Sequence, residues 1–229
     1  MFLMFFVIGF ILVPSFAFAW GPMTHMYLAN EIYSYAPLIP AGILAVIKKY
    51  KQDFLYGNLM ADMILGKKYL PEDKSSHSWD VAFNLLEHAE KGPEKAFVYG
   101  YLSHLAADTV AHGTLTGDML DMEHTWIEIK ADSVIDRLYW LQSVTFSKTV
   151  QKRNDRFLEG SLDSFIFSFK TNKRIYKSMV FFSFLLLNRK KRRGINEGYL
   201  CRLHDESIGR MLDLIKNGKE SAVVDISPL

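Results

Sequence analysis

An all-α fold is predicted by the hydrophobic periodicity of the chain and by the positions of its helix-breaking residues. Apolar residues recur every three to four positions through most of the sequence, as on one face of an α-helix. No segment shows the strict alternation that is typical of a half-buried strand. Apolar residues make up 49% of the 229 residues, which is enough for a substantial buried core.

The helices are expected in a regular order along the chain. Thr24 can cap a first helix that runs to about Ser34, and Pro37 and Pro40 then interrupt the chain. Further helices are expected at 41–65, 79–90, 93–112, 122–141, 157–169, 174–187 and 197–216, with a polar loop at 66–78. Gly113 follows the helix that ends at 112, as a C-terminal glycine commonly does.

The first 19 residues have the features of a signal peptide. They carry no charged side chain and end in Ala17-Phe18-Ala19, with small residues at the two positions that a signal peptidase reads. Cleavage there would leave Trp20 as the new N-terminus and predicts an exported protein, periplasmic or secreted. An uncleaved membrane anchor is the alternative, because a spanning helix needs about 17 to 25 residues.

Charge and cysteine content restrict the kinds of site that the chain can hold. The net charge of +2 favours neither an anionic nor a cationic partner. Cys201 is the single cysteine, so no intramolecular disulfide and no cysteine cluster can form. Any metal must therefore be held by histidine and carboxylate.

One helix carries His104, Asp108 and His112 at intervals of four residues. Each step of four residues advances about 6 Å along a helix and turns only about 40° beyond a full turn, so the three side chains form one stripe. The residues between them are mostly apolar, and a buried carboxylate is costly unless a cation compensates it. A metal site is one interpretation, and a core histidine hydrogen-bonded to the aspartate is the other.

A second stripe strengthens the metal interpretation. His124 and Glu128 repeat the four-residue spacing on the next predicted helix, and the short connection favours antiparallel neighbours whose stripes face each other. Asp132 and Asp136 continue this stripe and are expected to be solvated or to support the ligands. Imidazole and carboxylate donors without thiolate suit a catalytic zinc that keeps a position open for water.

Three segments, WGPMTH, GYLSHLAADTVAHG and HTWIE, resemble those of the zinc-dependent phospholipase C family. They are also similar to the N-terminal domain of glycosylphosphatidylinositol-specific phospholipase D and, more distantly, to the S1/P1 nucleases. The resemblance covers about residues 20–136. It implies a multi-helix bundle like that of phospholipase C and P1 nuclease, with a metal cluster between the helices.

The resemblance implies two to three zinc ions and nine ligand residues. These are Trp20, through its free amine and carbonyl oxygen, His25, Asp62, His77, His104, Asp108, His112, His124 and Glu128. Asp108 would bridge the zinc held by Trp20 and His25 to the zinc held by Asp62, His77 and His104. His112, His124 and Glu128 would hold the third ion. Without the resemblance, Asp62 is equally a helix-end carboxylate, and His25 and His77 are equally surface histidines.

The implied activity is hydrolysis of a phospholipid head group or of another phosphodiester. Zinc-bound hydroxide would attack phosphorus, and Asp62 would orient or deprotonate the attacking water. Two alternatives remain: an S1/P1-like single-strand nuclease, and a non-catalytic zinc-stabilised helical binding protein. No stable nucleic-acid partner is expected. Residues 1–19 would be the signal peptide, 20–140 the zinc-binding catalytic core, and 141–229 a C-terminal helical region that completes the same domain.

The segment 178–193 has two interpretations. Its apolar part, SMVFFSFLLL, is too short to span a bilayer and is followed by RKKRR. Peripheral contact with an anionic membrane is one interpretation. The favoured one is a buried helix whose basic end is solvated and complements the helix C-terminus.

Overall fold

A computed structural model describes residues 20–64, 75–112, 131–162, 168–187 and 196–228 of the chain. Within 168–187, the side chains of residues 179 and 182–187 are not described. The described ranges contain nine α-helices and three short 3₁₀ segments, with no strand among them. The predicted all-α fold is confirmed.

The helices follow one another through short connections. Their bounds are α1 Pro22–Glu31, α2 Ala41–Lys49, α3 Lys51–Met63, α4 Trp79–His88, α5 Gly92–Val110, α6 Arg137–Val144, α7 Lys148–Ser161, α8 Phe169–Leu187 and α9 Glu197–Asn217. The 3₁₀ segments are Ile32–Leu38, Gly218–Glu220 and Ala222–Asp225.

Two predicted helices are interrupted in the structure. The stretch 41–65 divides at Tyr50, whose φ of −115° and ψ of 44° are not helical. The Tyr50 carbonyl accepts bonds from the backbone of Asp53 and Phe54, so Tyr50 begins α3. Residues 133–136 form a turn, and Asp136 caps α6 by accepting a 2.8 Å bond from the Leu138 amide. The predicted helix 122–141 is therefore not continuous, and its first part lies outside the described residues.

The last third of the chain was only partly predicted. The helix expected at 157–169 is wrong in position, because α7 begins at Lys148 behind a Ser147 cap and ends at Ser161. This helix is mostly polar, so few apolar residues mark its start. The helices expected at 174–187 and 197–216 correspond to α8, which starts five residues earlier, and to α9.

Helices α3 and α5 form the centre of the fold and meet at two glycines. A Cβ at Gly57 would clash with the carbonyl oxygen of Phe97, and a Cβ at Gly100 would clash with that of Phe54. The two backbones therefore touch at a distance that larger residues would prevent. The Asn58 side-chain amide adds a 3.1 Å bond to the Gly100 carbonyl. This crossing brings the end of α3 next to the C-terminal half of α5.

The remaining helices surround this pair. Helix α9 packs along α5, and α1 packs on α3 and α6. Helix α7 is attached to α3 through the buried Asp53 carboxylate, which accepts bonds from Arg153 Nε at 2.6 Å and from the Asn154 amide at 2.7 Å. No helix in the described part of the chain is long and apolar enough to cross a membrane. Residues 1–19, which carry the signal-peptide and anchor predictions, lie outside it.

Candidate metal centre

Four buried side chains converge where α3, α5 and the segment before α4 meet. Asp62 comes from the last turn of α3, His77 from the segment before α4, and His104 and Asp108 from α5. One ligand atom of each lies within 4.8 Å of every other. All four side chains are buried. The surface interpretation of His77 is therefore wrong.

The distances among these atoms have the size that a tetrahedral zinc requires. The Nε2 atoms of His77 and His104 are 3.3 Å apart. Asp62 Oδ1 lies 3.3 Å from His77 Nε2 and 3.6 Å from His104 Nε2. Asp108 Oδ2 lies 3.3 Å and 3.1 Å from the same two nitrogens. Ligand atoms at about 2.0–2.1 Å from a tetrahedral zinc are themselves about 3.3 Å apart. The donor set thus fits zinc in both chemistry and spacing.

Neighbouring groups turn the two imidazoles toward the cluster. His104 Nδ1 lies 2.8 Å from the Asn58 carbonyl oxygen, which can only accept, so Nδ1 carries the proton and Nε2 faces the cluster. His77 Nδ1 lies 3.2 Å from the Ser76 hydroxyl. The Ser76 carbonyl accepts a 2.5 Å bond from the Tyr101 hydroxyl, which fixes this segment against α5.

Asp108 faces donors on both of its oxygens. While Oδ2 faces His77 and His104, Oδ1 lies 3.1 Å from His25 Nε2. The His25 ring is fully buried and stacks on the His104 ring, with centroids 3.8 Å apart and an 18° angle between planes. Neither the two ring nitrogens of His25 nor the two oxygens of Asp108 form a hydrogen bond within the described residues. Close nitrogen and oxygen atoms that form no hydrogen bond with each other suit the binding of a metal ion.

The electrostatics of the cluster call for a cation. Burial lowers the pKa of His104, but the Asp108 and Asp62 carboxylates outweigh it and raise this pKa to about 10. Burial raises the pKa of Asp108, yet His104 and His25 hold it well below its usual value. The pKa of His25 is lowered, first by burial and then by the positive charge of His104. The two carboxylates thus favour a positive charge at the cluster, which a bound metal ion would supply.

More than half of the chain matches a known protein family. The family model described as zinc dependent phospholipase C matches residues 24–174. The chain belongs to the zinc-dependent phospholipase C family. No curated protein and no solved structure matches it. The family match confirms the resemblance and extends it beyond residue 136, through α6 and α7 into the start of α8.

The predicted N-terminal ligand, Trp20, lies just before the family match and is held beside the cluster. Its side chain is fully buried. The indole nitrogen donates to the Ala107 carbonyl and to the Ser207 hydroxyl, both at 3.1 Å. Because Ala107 directly precedes Asp108, this contact ties Trp20 to the part of α5 that carries the cluster.

Asp132 supports a predicted ligand, which is one of the two roles that the sequence analysis expects for it. Rather than being solvated, it is buried and caps α1 by accepting bonds from the Met23 amide, the Thr24 amide and the Thr24 hydroxyl, at 3.1, 2.9 and 2.7 Å. Burial raises the pKa of Asp132 to about 6, because its effect exceeds that of these hydrogen bonds, which lower the pKa. A Cβ at Gly21 would clash with this carboxylate. The cap fixes the start of α1 and so the position of His25. The sequence could not show this contact, because Asp132 lies more than 100 positions from the residues that it caps.

The third zinc position predicted from the family pattern is only partly within the described residues. The α-helical part of α5 ends at Val110, and residues 111 and 112 form a π-helical turn. The α-helical stripe of His104 and Asp108 therefore ends before His112, which is half-buried and is not one of the four converging residues. His124 and Glu128 lie in 113–130, outside the described residues. This position stays a prediction.

Proposed function

We propose that the protein is a zinc-dependent phosphodiester hydrolase that cleaves phospholipid head groups in the manner of a phospholipase C. The observation that carries the proposal is the buried cluster of two imidazoles and two carboxylates at zinc-like spacing, in a chain of this family. A purely structural role is less well supported, because the oxygens of Asp108 face donors on both sides and would serve two ions.

The proposed centre holds two to three zinc ions. Asp62, His77 and His104 would hold one ion, and Trp20 and His25 a second. Asp108 would contribute one oxygen to each. His112, His124 and Glu128 would hold the third. When bound, zinc would supply a water that ionises near neutral pH and would polarise the phosphoryl oxygens.

The protein's own residues would position the reactants. The Asn58 carbonyl and the Ser76 hydroxyl keep the His104 and His77 rings turned toward the centre. Asp62 would orient the attacking water and accept its proton, since its carboxylate lies at the cluster. The new bond would form between the water oxygen and phosphorus, and the bond from phosphorus to the leaving oxygen would break in line with it.

The setting of the enzyme is also part of the proposal. Removal of residues 1–19 during export would free the Trp20 amine for zinc. Peripheral contact of 178–193 with a membrane, the less favoured of its two interpretations, would bring the centre to its substrate. Of the side chains described in that segment, Val180 is buried and Phe181 is 53% exposed. Residues 188–193 lie outside the described part of the chain.

The experiment replaces the shared carboxylate. Asp108→Asn keeps the shape of the side chain but removes the charge that would serve two ions. We expect the purified mature variant to lose one to two equivalents of zinc and its hydrolysis of phosphatidylcholine and phosphatidylinositol. The matched control is Asp80→Asn, since Asp80 is an exposed carboxylate on α4.

Either of two results would contradict the proposal. One is normal zinc content and turnover in a folded Asp108→Asn protein. The other is a wild-type protein that cleaves single-stranded nucleic acid and leaves both phospholipids intact. That result would favour the S1/P1-like nuclease alternative.

A further inference from the structure

The charges of the chain are strongly separated along the sequence. Residues 148–193 contain thirteen Lys and Arg and three Asp and Glu, a net charge of +10. The rest of the chain contains fourteen Lys and Arg and twenty-two Asp and Glu, which gives a net charge of −8. The small net charge of the whole chain therefore conceals a basic segment that includes α7 and α8. Such a segment attracts anionic surfaces over distances of about 10 Å at moderate salt.

Helix α8 presents part of this charge in one row. Lys170, Arg174, Lys177 and Phe181 are all exposed and follow one another at intervals of four, three and four residues. Residues at this spacing lie on the same face of a helix. We call these four residues the basic stripe. Its three cations are followed by an aromatic side chain that is 53% exposed.

A second face of α8, turned about 90–130° around the helix axis from the basic stripe, is buried. Phe169, Tyr176 and Val180 on this face are buried, and α8 packs on α3, the helix that carries Asp62. The pKa of Tyr176 is raised well above its usual value, first by burial and then by the Asp62 and Asp132 carboxylates. The basic stripe and this buried face belong to one helix, which links the exposed cations to the packing around α3.

The cations of the basic stripe form no ion pair among the described residues. The pair beside them, Lys173 with Asp155 at 2.6 Å, neutralises itself. A cleft of about 330 Å³ between α7 and α8 is lined by Lys170, Lys173, Arg174 and Lys177 and by the carboxylates Asp155 and Glu159. The cations exceed the carboxylates by two, and the cleft can receive an anion such as a lipid phosphate.

We propose that the basic stripe of α8 binds the surface of an anionic phospholipid bilayer. The three cations would contact phosphate and carboxylate groups of the lipids, and Phe181 would enter the boundary between head groups and acyl chains, as aromatic residues of peripheral helices do. This inference rests on the proposed function, because the membrane binding would serve to hold the metal centre at the surface that carries its substrate. It shares Phe181 with the contact proposed for 178–193 and differs from it in its cations, which all lie before that segment.

The test measures partition of the full mature chain, starting at Trp20, onto vesicles by sedimentation. The wild type should bind vesicles of mixed phosphatidylcholine and phosphatidylserine, bind pure phosphatidylcholine weakly, and release as salt is raised. The variant Lys170→Gln/Arg174→Gln/Lys177→Gln should lose roughly 100-fold in the partition coefficient on mixed vesicles, at about fivefold per cation. Phe181→Ser should reduce partition onto the mixed vesicles by a smaller factor.

The matched control removes three exposed lysines from other faces. Lys48→Gln/Lys95→Gln/Lys216→Gln lowers the net charge by the same amount, and these residues lie on α2, α5 and α9. It should bind mixed vesicles like the wild type. Both variants should keep wild-type circular dichroism, because all six side chains are exposed.

Three results would overturn the inference. The stripe variant could bind as tightly as the wild type, binding could be lost only when residues 189–193 are neutralised, or the wild type could bind single-stranded DNA and no vesicle.

Hydrolysis of a water-soluble phosphodiester separates this inference from the proposed function. If vesicle binding depends on the stripe but no hydrolysis is found, the proposed activity is wrong and the docking surface stands. If hydrolysis is found but vesicle binding does not depend on the stripe, the proposed activity stands and the docking surface is wrong.

Discussion

Two buried tyrosines differ in whether their hydroxyl groups have a partner. The Tyr176 hydroxyl is buried and forms no hydrogen bond within the described residues, while that of Tyr101 donates to the Ser76 carbonyl. A buried polar group without a partner costs about 1–3 kcal/mol. We therefore expect Tyr176→Phe to raise the free energy of unfolding by about 1 kcal/mol, as measured by urea denaturation.

Tyr101→Phe is the matched control for this prediction. The same loss of a hydroxyl should lower the free energy of unfolding by about 1–3 kcal/mol, because it leaves the Ser76 carbonyl unsatisfied. Equal destabilisation by both variants would mean that the Tyr176 hydroxyl has a stabilising partner, and the prediction would be wrong.

His204 makes the stability of the protein depend on pH. Its side chain is buried between aromatic rings, with centroids 5.1 Å from Trp20 and 5.4 Å from Tyr27. Burial lowers its pKa to about 4, and the Asp205 carboxylate offsets only part of this. Between pH 6.5 and about 4 the unfolded chain binds a proton that the folded protein does not, so stability falls as the pH falls.

The size of this effect is measurable by comparing variants. A pKa lowered from 6.5 to about 4 corresponds to about 3 kcal/mol, lost over that pH range. Thermal unfolding at pH 7 and pH 4.5 should show a smaller difference for His204→Gln than for the wild type. An identical pH dependence in the two proteins would show that His204 takes up its proton without unfolding.

Single residues of the site differed in how far the sequence could predict them. The spacing of His104 and Asp108 put both on one helical face, because neighbours four apart in the chain are also neighbours in space. His25, Asp62 and His77 reach the same point from other elements. Their positions depend on packing between distant segments, so they were identified only through the family resemblance.

Among the elements, the crossing of α3 and α5 sets the spacing of the metal centre. Gly100 lies against the α3 backbone, four residues before His104. Gly100→Ala should push the helices apart, lower the free energy of unfolding by about 1–3 kcal/mol or more, and reduce zinc affinity. Isothermal titration with zinc and urea denaturation would measure the two effects.

Gly209→Ala provides the control for the crossing. Gly209 lies within α9, and a Cβ there would meet no atom within 4 Å. The same substitution should therefore raise stability by up to about 1 kcal/mol through helix propensity. If Gly100→Ala were equally harmless, the close contact of the two helices would not be what positions the ligands.

Element boundaries were less predictable than element type. The helical periodicity of 41–65 is continuous through the break at Tyr50, so the pattern of apolar residues could not reveal it. Gly57 and Gly100 were visible in the sequence. Their function at a helix crossing depends on two backbones meeting from distant parts of the chain, which no local pattern encodes.

At the scale of the whole molecule, the C-terminal part supports the rest of the fold. Helix α9 packs on α5, and Ser207 of α9 binds the Trp20 indole. These contacts support the prediction that 141–229 completes the same domain as 20–140. Periodicity in the last third of the chain predicted helices but gave no indication of this packing. The separation of charge between 148–193 and the remainder was present in the sequence but was concealed by the net charge of +2.

The proposed function depends on a zinc cluster at Asp62, His77, His104 and Asp108, extended by His25 and Trp20. The most direct measurement is elemental analysis of the mature protein, starting at Trp20, after exhaustive dialysis. We predict about two to three equivalents of zinc per chain. Less than about one equivalent in a protein shown to be folded would contradict the cluster and, with it, the proposed hydrolase.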